Sequence, residues 1–315
     1  MQRHGRRPLY LRPPLFVLLF SVIAATAGCR KEQSPPASSS VKPAGPAVLS
    51  PKPVPPEPSL PNYRSIPIEG MKSIIQITSE LGKEGFTLVL KINRVDLDHV
   101  RQGEALIVPG KVVDLLTHAP FPAEVEGLRA IPKAILVSRR IQAFAAYESG
   151  RLVYWGPTST GKRATPTPAG LFHTNWKSRE RVSTVDEQWL LRWYLNLDNF
   201  EGVSFHQYAL PGYPASHSCI RLLEEDAKWL YEWAEQWVLS KDGRQILAQG
   251  TPVVIFGDYA YEQPAPWKRL IEDPLAATVS VGEVDAALHD LLPVILERAK
   301  ARATLLAALT SKQSR

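Results

Sequence analysis

The chain of 315 residues has only two cysteines, Cys29 and Cys219. That excludes a disulfide-stapled scaffold and leaves room for one bridge at most. The two sit in such different surroundings that separate tasks are expected rather than a bridge. The N-terminal apolar run is short as well. Leu15 to Ala27 is uncharged over 13 residues, against the roughly 20 that a spanning helix needs. A dense block of Lys and Arg is missing from the folded part, so the net charge of +6 does not by itself call for a nucleic acid or anionic polymer as partner. Apolar residues make up 44% and charged residues 22%, enough for a sizeable core. The length suits about two domains.

Residues 1–14 carry Arg3, Arg6, Arg7 and Arg12 and no acid. A positive start, a short apolar stretch and small residues after it form an export signal over 1–28. Its end, Thr26-Ala27-Gly28-Cys29, resembles a bacterial lipobox, with Thr26 where leucine is usual. The resemblance implies that Cys29 takes a diacylglycerol and becomes the first mature residue. An ordinary cleaved signal is the simpler alternative. Arg30 after Cys29, in place of Asp, favours the outer membrane by the sorting tendency of lipoproteins. Residues 29–62 read as a Pro/Ser-rich linker, holding between Ser34 and Pro61 ten of the 28 prolines. Such a segment cannot build a helix or a sheet interior. As polyproline II it would reach on the order of 90 Å.

Residues 63–112 hold a small α/β unit. The pattern predicts a helix over Met71–Leu81 and a strand over Phe86–Ile92. The stretch from Ile92 to Pro109 resembles the second half of a LysM module, a family that binds glycan chains of peptidoglycan or chitin. The Gly-Asp-Thr-Leu turn that opens a LysM is missing. From Ala134 the text turns to short β-rich runs, Ala134–Ser138, Ile141–Tyr147 and Leu152–Trp155, with Glu148-Ser149-Gly150 as a turn and Gly156-Pro157 as a stop. This punctuation predicts a mainly β domain, a sandwich with peripheral helices, over 130–262. Leu223–Val238 carries a helical stripe, and acidic residues at Glu224, Glu225 and Asp226 suit its first turn. A helical extension is expected over 263–315, opened by a capping box of Ser280 and Glu283.

The chemistry concentrates in Phe205-His206-Gln207-Tyr208 and Ser216-His217-Ser218-Cys219-Ile220-Arg221. A thiol becomes a useful nucleophile when a base or positive neighbour favours its thiolate. Cys219 has His217 two residues away, His206 thirteen away and Arg221 beside it. A zinc site would want a fourth ligand or an open water position. No further cysteine or paired histidine lies nearby, so no metal is expected. The plainer alternative is a buried thiol among hydrogen-bonded histidines.

Ser216-His217-Ser218-Cys219-Ile220-Arg221-Leu222 resembles the Ser-His-Gly-Cys-(Ile/Val)-Arg signature of L,D-transpeptidases of the YkuD type, with His206 as their upstream histidine. Ser159-Thr160-Gly161-Lys162, Thr165-Pro166-Thr167-Pro168-Ala169-Gly170-Leu171-Phe172 and Gly250-Thr251-Pro252-Val253-Val254-Ile255 match further stretches of that family in the same order. Ser218 replaces the family's glycine, and Gln207 stands where glycine is common. The resemblance implies a β-sandwich with a cysteine nucleophile, Cys219, acting on a peptidoglycan tetrapeptide stem and joining stems by 3→3 cross-links. It implies His206 as general base and His217 as runner-up or wall of the site. Ser216, Ser218, Tyr208 and Arg221 would serve the oxyanion or substrate. Trp176, Trp189 and Trp193 are expected in the core or a lid. No cofactor is called for. The implied partners are stem peptides, glycan strands through the LysM-like unit, and a membrane through Cys29, but no nucleic acid. The location would be the periplasmic face of the envelope. An L,D-carboxypeptidase, a lipoprotein-anchoring enzyme and a catalytically weak wall-binding protein remain as alternatives.

Overall fold

A computed structural model describes residues 61–112, 114–183 and 186–313. The export signal, Cys29 and all but the last two residues of the linker lie outside the described residues. The first unit is framed by strand β1 (Tyr63–Pro67) and strand β2 (Ala105–Pro109), paired antiparallel from Tyr63 opposite Pro109 to Pro67 opposite Ala105. Between them runs helix α1 (Met71–Asn93), broken at Gly82, whose φ of 73° and ψ of 176° no helix accommodates. The expected strand over Phe86–Ile92 is therefore corrected to helix. Gly85, Leu88, Val89, Ile92 and Asn93 are buried, a spacing of three and four that belongs to one helical face. The seven-residue window was too short to separate the two periods.

The main domain has two sheets. Strands β3 (Lys133–Ser138), β4 (Ala143–Glu148), β5 (Arg151–Pro157) and β6 (Gly170–His173) share one sheet with β13 (Pro252–Phe256), in the order β5-β4-β3-β13-β6. Strands β7 (Lys177–Val182), β8 (Leu190–Asn196), β9 (Ser204–Gln207) and β10 (Ile220–Leu222) make the second, in the order β10-β9-β8-β7. Alternation along β3 serves both faces of the larger sheet. Ile135 and Val137 join Phe144, Leu195, Phe205, Ile220 and Leu222 in the core between the sheets. Ala134 and Leu136 face the other way, toward Val284, Leu288 and Ile295. Those three come from helices α3 (Val281–Leu288) and α4 (Leu292–Gln313). The expected capping box is present, with Ser280 accepting from Glu283 N and Glu283 accepting from Ser280 N.

Helix α2 (Glu224–Trp233) covers the inter-sheet core with Ala227 and Leu230. It is shorter than the expected Leu223–Val238. Ala234 is extended, with ψ 152°. Glu235 N donates to Thr251 Oγ1 at 2.9 Å and Trp237 N to Asn175 O at 3.1 Å. Acceptors supplied by the sheets replace the helical ones, and the chain continues into the small hairpin of β11 (Val238–Leu239) and β12 (Ile246–Ala248). The first unit docks on the main domain through Leu88, Ile92 and Ile107, which cluster with Trp155, Trp267 and Leu270.

Candidate active site

Strands β9 and β10 run parallel, with Arg221 opposite His206 and Ile220 opposite Phe205. Parallel neighbours need a crossover between them. Here residues 208–219 supply it without a helix, and the two conspicuous residues stand near its ends. His206 is on β9 and Cys219 immediately precedes β10.

The thiol is half-buried and free. Ser204 Oγ donates to Sγ at 3.4 Å, and Sγ donates to Gly202 O at 3.1 Å. Burial pushes the Cys219 thiol up from its usual range, while the Ser204 hydrogen bond and the Arg221 guanidinium pull the other way. His206 is buried and stacks on Tyr194, the rings 6.3 Å apart and 11° from parallel. Its Nδ1 lies 3.0 Å from Gln207 O. A carbonyl only accepts, so Nδ1 carries the proton and Nε2 keeps its lone pair. Burial brings this imidazole down to about 4, aided by Arg221 and opposed by the Gln207 hydrogen bond. Thiol and imidazole are thus both neutral near pH 7, not a resting ion pair. Among the described residues, Sγ has no hydrogen bond to either ring; such contacts often close only around substrate.

His217 differs. Its Nε2 takes a hydrogen bond from Lys162 Nζ at 2.9 Å. The proton is therefore on Nδ1, which has no partner among the described residues. Burial, then Lys162 and Arg221, hold this ring below the usual histidine range. Trp189 packs on it at 5.8 Å and on Tyr208 at 5.6 Å.

Ser218 has φ 80°. This is the left-handed region that glycine occupies freely and other residues enter at a cost of about 1–2 kcal/mol. The turn is held by its carbonyls. Thr167 Oγ1 donates to Ser218 O at 2.8 Å, Ser216 Oγ donates to Cys219 O, and Lys162 N donates to Ser216 O at 2.9 Å. The N–H groups of His217, Ser218 and Cys219 donate to no acceptor among the described residues. The Ser159–Lys162 stretch acts as the brace. Ser159 and Arg221 exchange backbone hydrogen bonds at 3.0 and 3.1 Å. A Cβ on Gly161 would sit 2.1 Å from Thr165 O, so only glycine fits. Arg221 lies over the Tyr208 ring at 4.7 Å and donates weakly to Ala209 O at 3.5 Å.

His206, Tyr208, Ser216, His217, Cys219 and Arg221 line one cavity of about 30 Å³. That holds a water but no peptide. Ser218 is not among the residues that line it; its carbonyl is tied to Thr167. Trp189 lines the cavity, whereas Trp176 stacks on Tyr194 and Trp193 meets Tyr231 edge-on. Sequence reasoning missed Ser204, although strand alternation places it on the face of His206. It also missed the Lys162 ammonium, whose contact with His217 no spacing reveals. A larger cavity of about 250 Å³, lined by Ile131, His173, Ile295 and Arg298 among others, shares no residue with this site.

Residues 132–255 match the model of the YkuD family, described as the L,D-transpeptidase catalytic domain. No curated protein matches the sequence. Among solved structures the chain is similar to an L,D-transpeptidase of Stackebrandtia nassauensis, at 18% identity over 59% of this chain and 77% of that one, with TM-score 0.34. It is similar to an Enterococcus faecium L,D-transpeptidase at 23% identity over 40% and 50%, with TM-score 0.32. Mycobacterium tuberculosis L,D-transpeptidase 1 follows at 22% over 40% and 62%, with TM-score 0.30. The chain thus spans between half and about three quarters of the length of these proteins.

Proposed function

We propose that this protein is an exported cell-wall enzyme that takes a tetrapeptide stem onto Cys219 as a thioester and passes it to an amine of a neighbouring stem. The observation that carries this reading is one cavity shared by a free thiol and by His206, whose Nδ1 bond to Gln207 O leaves Nε2 as the acceptor. As substrate enters, Nε2 takes the thiol proton and Sγ attacks the carbonyl of the third stem residue. The N–H groups of His217, Ser218 and Cys219 receive the oxyanion, each worth about 3 kcal/mol. The C–N bond to D-alanine breaks and the imidazolium gives the leaving amine its proton. An incoming amine then attacks the thioester, loses a proton to His206 and frees the thiol. Arg221 braces the loop over Tyr208.

The remainder of the chain fits this use. The export signal and Cys29 would place the domain on the periplasmic side, anchored to the outer membrane. The proline-rich linker would give it reach, and the LysM-like unit would meet glycan strands. Water as acceptor would make a carboxypeptidase, and a lipoprotein lysine would make a protein-anchoring enzyme. Muropeptide analysis of cells expressing the protein separates these outcomes. 3→3 dimers are expected, tripeptides alone would indicate the carboxypeptidase, and stem-linked lipoprotein the anchoring enzyme. Dimers that persist in Cys219→Ala would contradict the assignment. The hydrogen bonds of Sγ to Ser204 and Gly202 rather than to a ring favour one second reading, a wall-binding protein of weak activity. It would give neither dimers nor tripeptides while still sedimenting with peptidoglycan.

A further inference from the structure

The crossover 208–219 sets where His206 and Cys219 stand relative to each other, and its first half rests on the N-terminal unit. Asp96 caps the short helical turn Leu97–His99 through Oδ1, which accepts from His99 N at 2.9 Å and lies 2.6 Å from His99 Nδ1. Its second oxygen is spent elsewhere. Oδ2 accepts from Leu210 N at 2.7 Å, and Asp96 N donates to Leu210 O at 3.1 Å. Both polar groups of the Leu210 backbone are thus satisfied by one residue of the other unit, while the Leu210 side chain is fully buried. Val95 forms a bridge with Pro211. Gly212 has φ +87°, and a Cβ there would lie 3.2 Å from Val95 Cγ1, so the approach is close. The second half of the crossover is held by Ser159 and Thr160. Ser159 Oγ donates to Tyr213 O at 2.7 Å, Ala215 N donates to Ser159 Oγ at 3.1 Å, and Ser216 N donates to Thr160 O at 3.1 Å. Only the latter clamp belongs to the stretches that match the family.

We propose that Asp96 is a positioning residue for the catalytic pair: through its two-point hold on Leu210 the N-terminal unit sets the course of the crossover between His206 and Cys219, so that this unit is a working part of the active site as well as a candidate glycan binder. The proposal rests on the reading of Cys219 as nucleophile, yet it can be tested apart from it. A carboxylate suits the role because it alone offers one oxygen to its own turn and another to Leu210 N, with no hydrogen of its own to clash with either donor. Misplacement of reacting groups by about 1 Å costs roughly a hundredfold in rate.

The test uses the full chain, with Asp96→Ala, the isosteric Asp96→Asn, and His99→Ala, which leaves the bond to Leu210 in place. Two rates are measured well below the melting temperature: acylation of Cys219 by a carbapenem, and alkylation of Cys219 by iodoacetamide across pH, read by peptide mass spectrometry. Both Asp96 variants should acylate about ten- to a hundredfold more slowly, with Asn the milder, and His99→Ala should stay within about threefold of wild type. The alkylation profile should shift to lower pH in the Asp96 variants, because a slackened crossover lets water reach a thiol that burial now holds up. A purely structural role would lower the melting temperature and leave both rates unmoved at low temperature. That result, in Asp96→Asn if Asp96→Ala does not fold, would overturn the proposal. If the wild type itself is not acylated, the functional reading fails, and the alkylation profiles still decide the role of Asp96.

Discussion

Two polar regions of this molecule are built in opposite ways. Where the N-terminal unit meets β5 and α2, the buried cations are held by a carboxylate or by carbonyls. Lys91 Nζ donates to Asp226 Oδ1 at 2.6 Å, and Tyr154 OH donates to the same oxygen at 2.7 Å. Arg94, also buried, donates to Ile141 O and Ile92 O at 2.9 Å each and lies over Trp267 at 5.2 Å. Asp226 Oδ2 and Trp267 Nε1 are the buried side-chain atoms of this seam left without a partner among the described residues. Around Cys219 the balance is reversed. Among the described residues three successive N–H groups are unspent and His217 Nδ1 is unpartnered, and Ser218 is left-handed. His217, Ser218 and Cys219 are only half-buried, so their open N–H groups can meet solvent or an incoming acceptor, whereas the seam is closed to both. The seam joins the two units through paired polar groups, whereas the crossover leaves three donors open.

The largest effect that would sharpen this contrast is kinetic. His206→Gln should slow acylation of Cys219 by about 10²–10⁴, whereas His217→Gln should cost less than about tenfold, since Lys162 already occupies its Nε2. Equal losses would erase the distinction between the two rings. Next comes the seam. Lys91→Met would leave Asp226 buried without its cation and should destabilise the fold by about 3–5 kcal/mol in urea unfolding. Adding Asp226→Asn should recover most of that loss, because the uncompensated charge is the cost.

Acid should act through two buried histidines outside the seam, His206 on β9 and His173 on β6. His206 and His173 both ionise near 4 in the folded protein, burial being the main cause, against about 6.5 when unfolded. Unfolding therefore takes up protons between these limits. Stability is at its full value above pH 6.5 and falls as the pH drops toward 4, by on the order of 3 kcal/mol for each ring. Melting curves across this window check it, and His206→Gln should flatten the slope. The smallest effect concerns Ser218. Ser218→Gly removes the left-handed strain and should stabilise by about 1 kcal/mol, visible as a small rise in melting temperature with acylation no slower.

Much of this was legible in the residues themselves. Ala134–Ser138 reads as a β-rich apolar run, and that run is strand β3, which the structure buries on both faces. Ser280 and Glu283 announce a helix start because the capping box is local chemistry. The cluster of His206, His217 and Cys219 stood out because a thiol needs a base. What stayed hidden was non-local. Phe86–Ile92 is helical because Leu88 and Ile92 pack against Trp155 and Trp267, far away in the chain. Helix α2 stops where Thr251 and Asn175 offer acceptors and donors from the sheets. The left-handed turn at Ser218 could be suspected from the glycine it replaces. Asp96, more than a hundred positions before Cys219, gives no local sign of touching the crossover.

The central claim is that Cys219 is a nucleophile served by His206, and intact mass of the folded chain with and without a carbapenem tests it most directly. A single covalent adduct, mapped to the peptide containing Cys219, absent from Cys219→Ala and much slower to form in His206→Gln, is the expected result. A folded wild-type chain that keeps its unmodified mass, or an adduct that forms equally fast without His206, would contradict it.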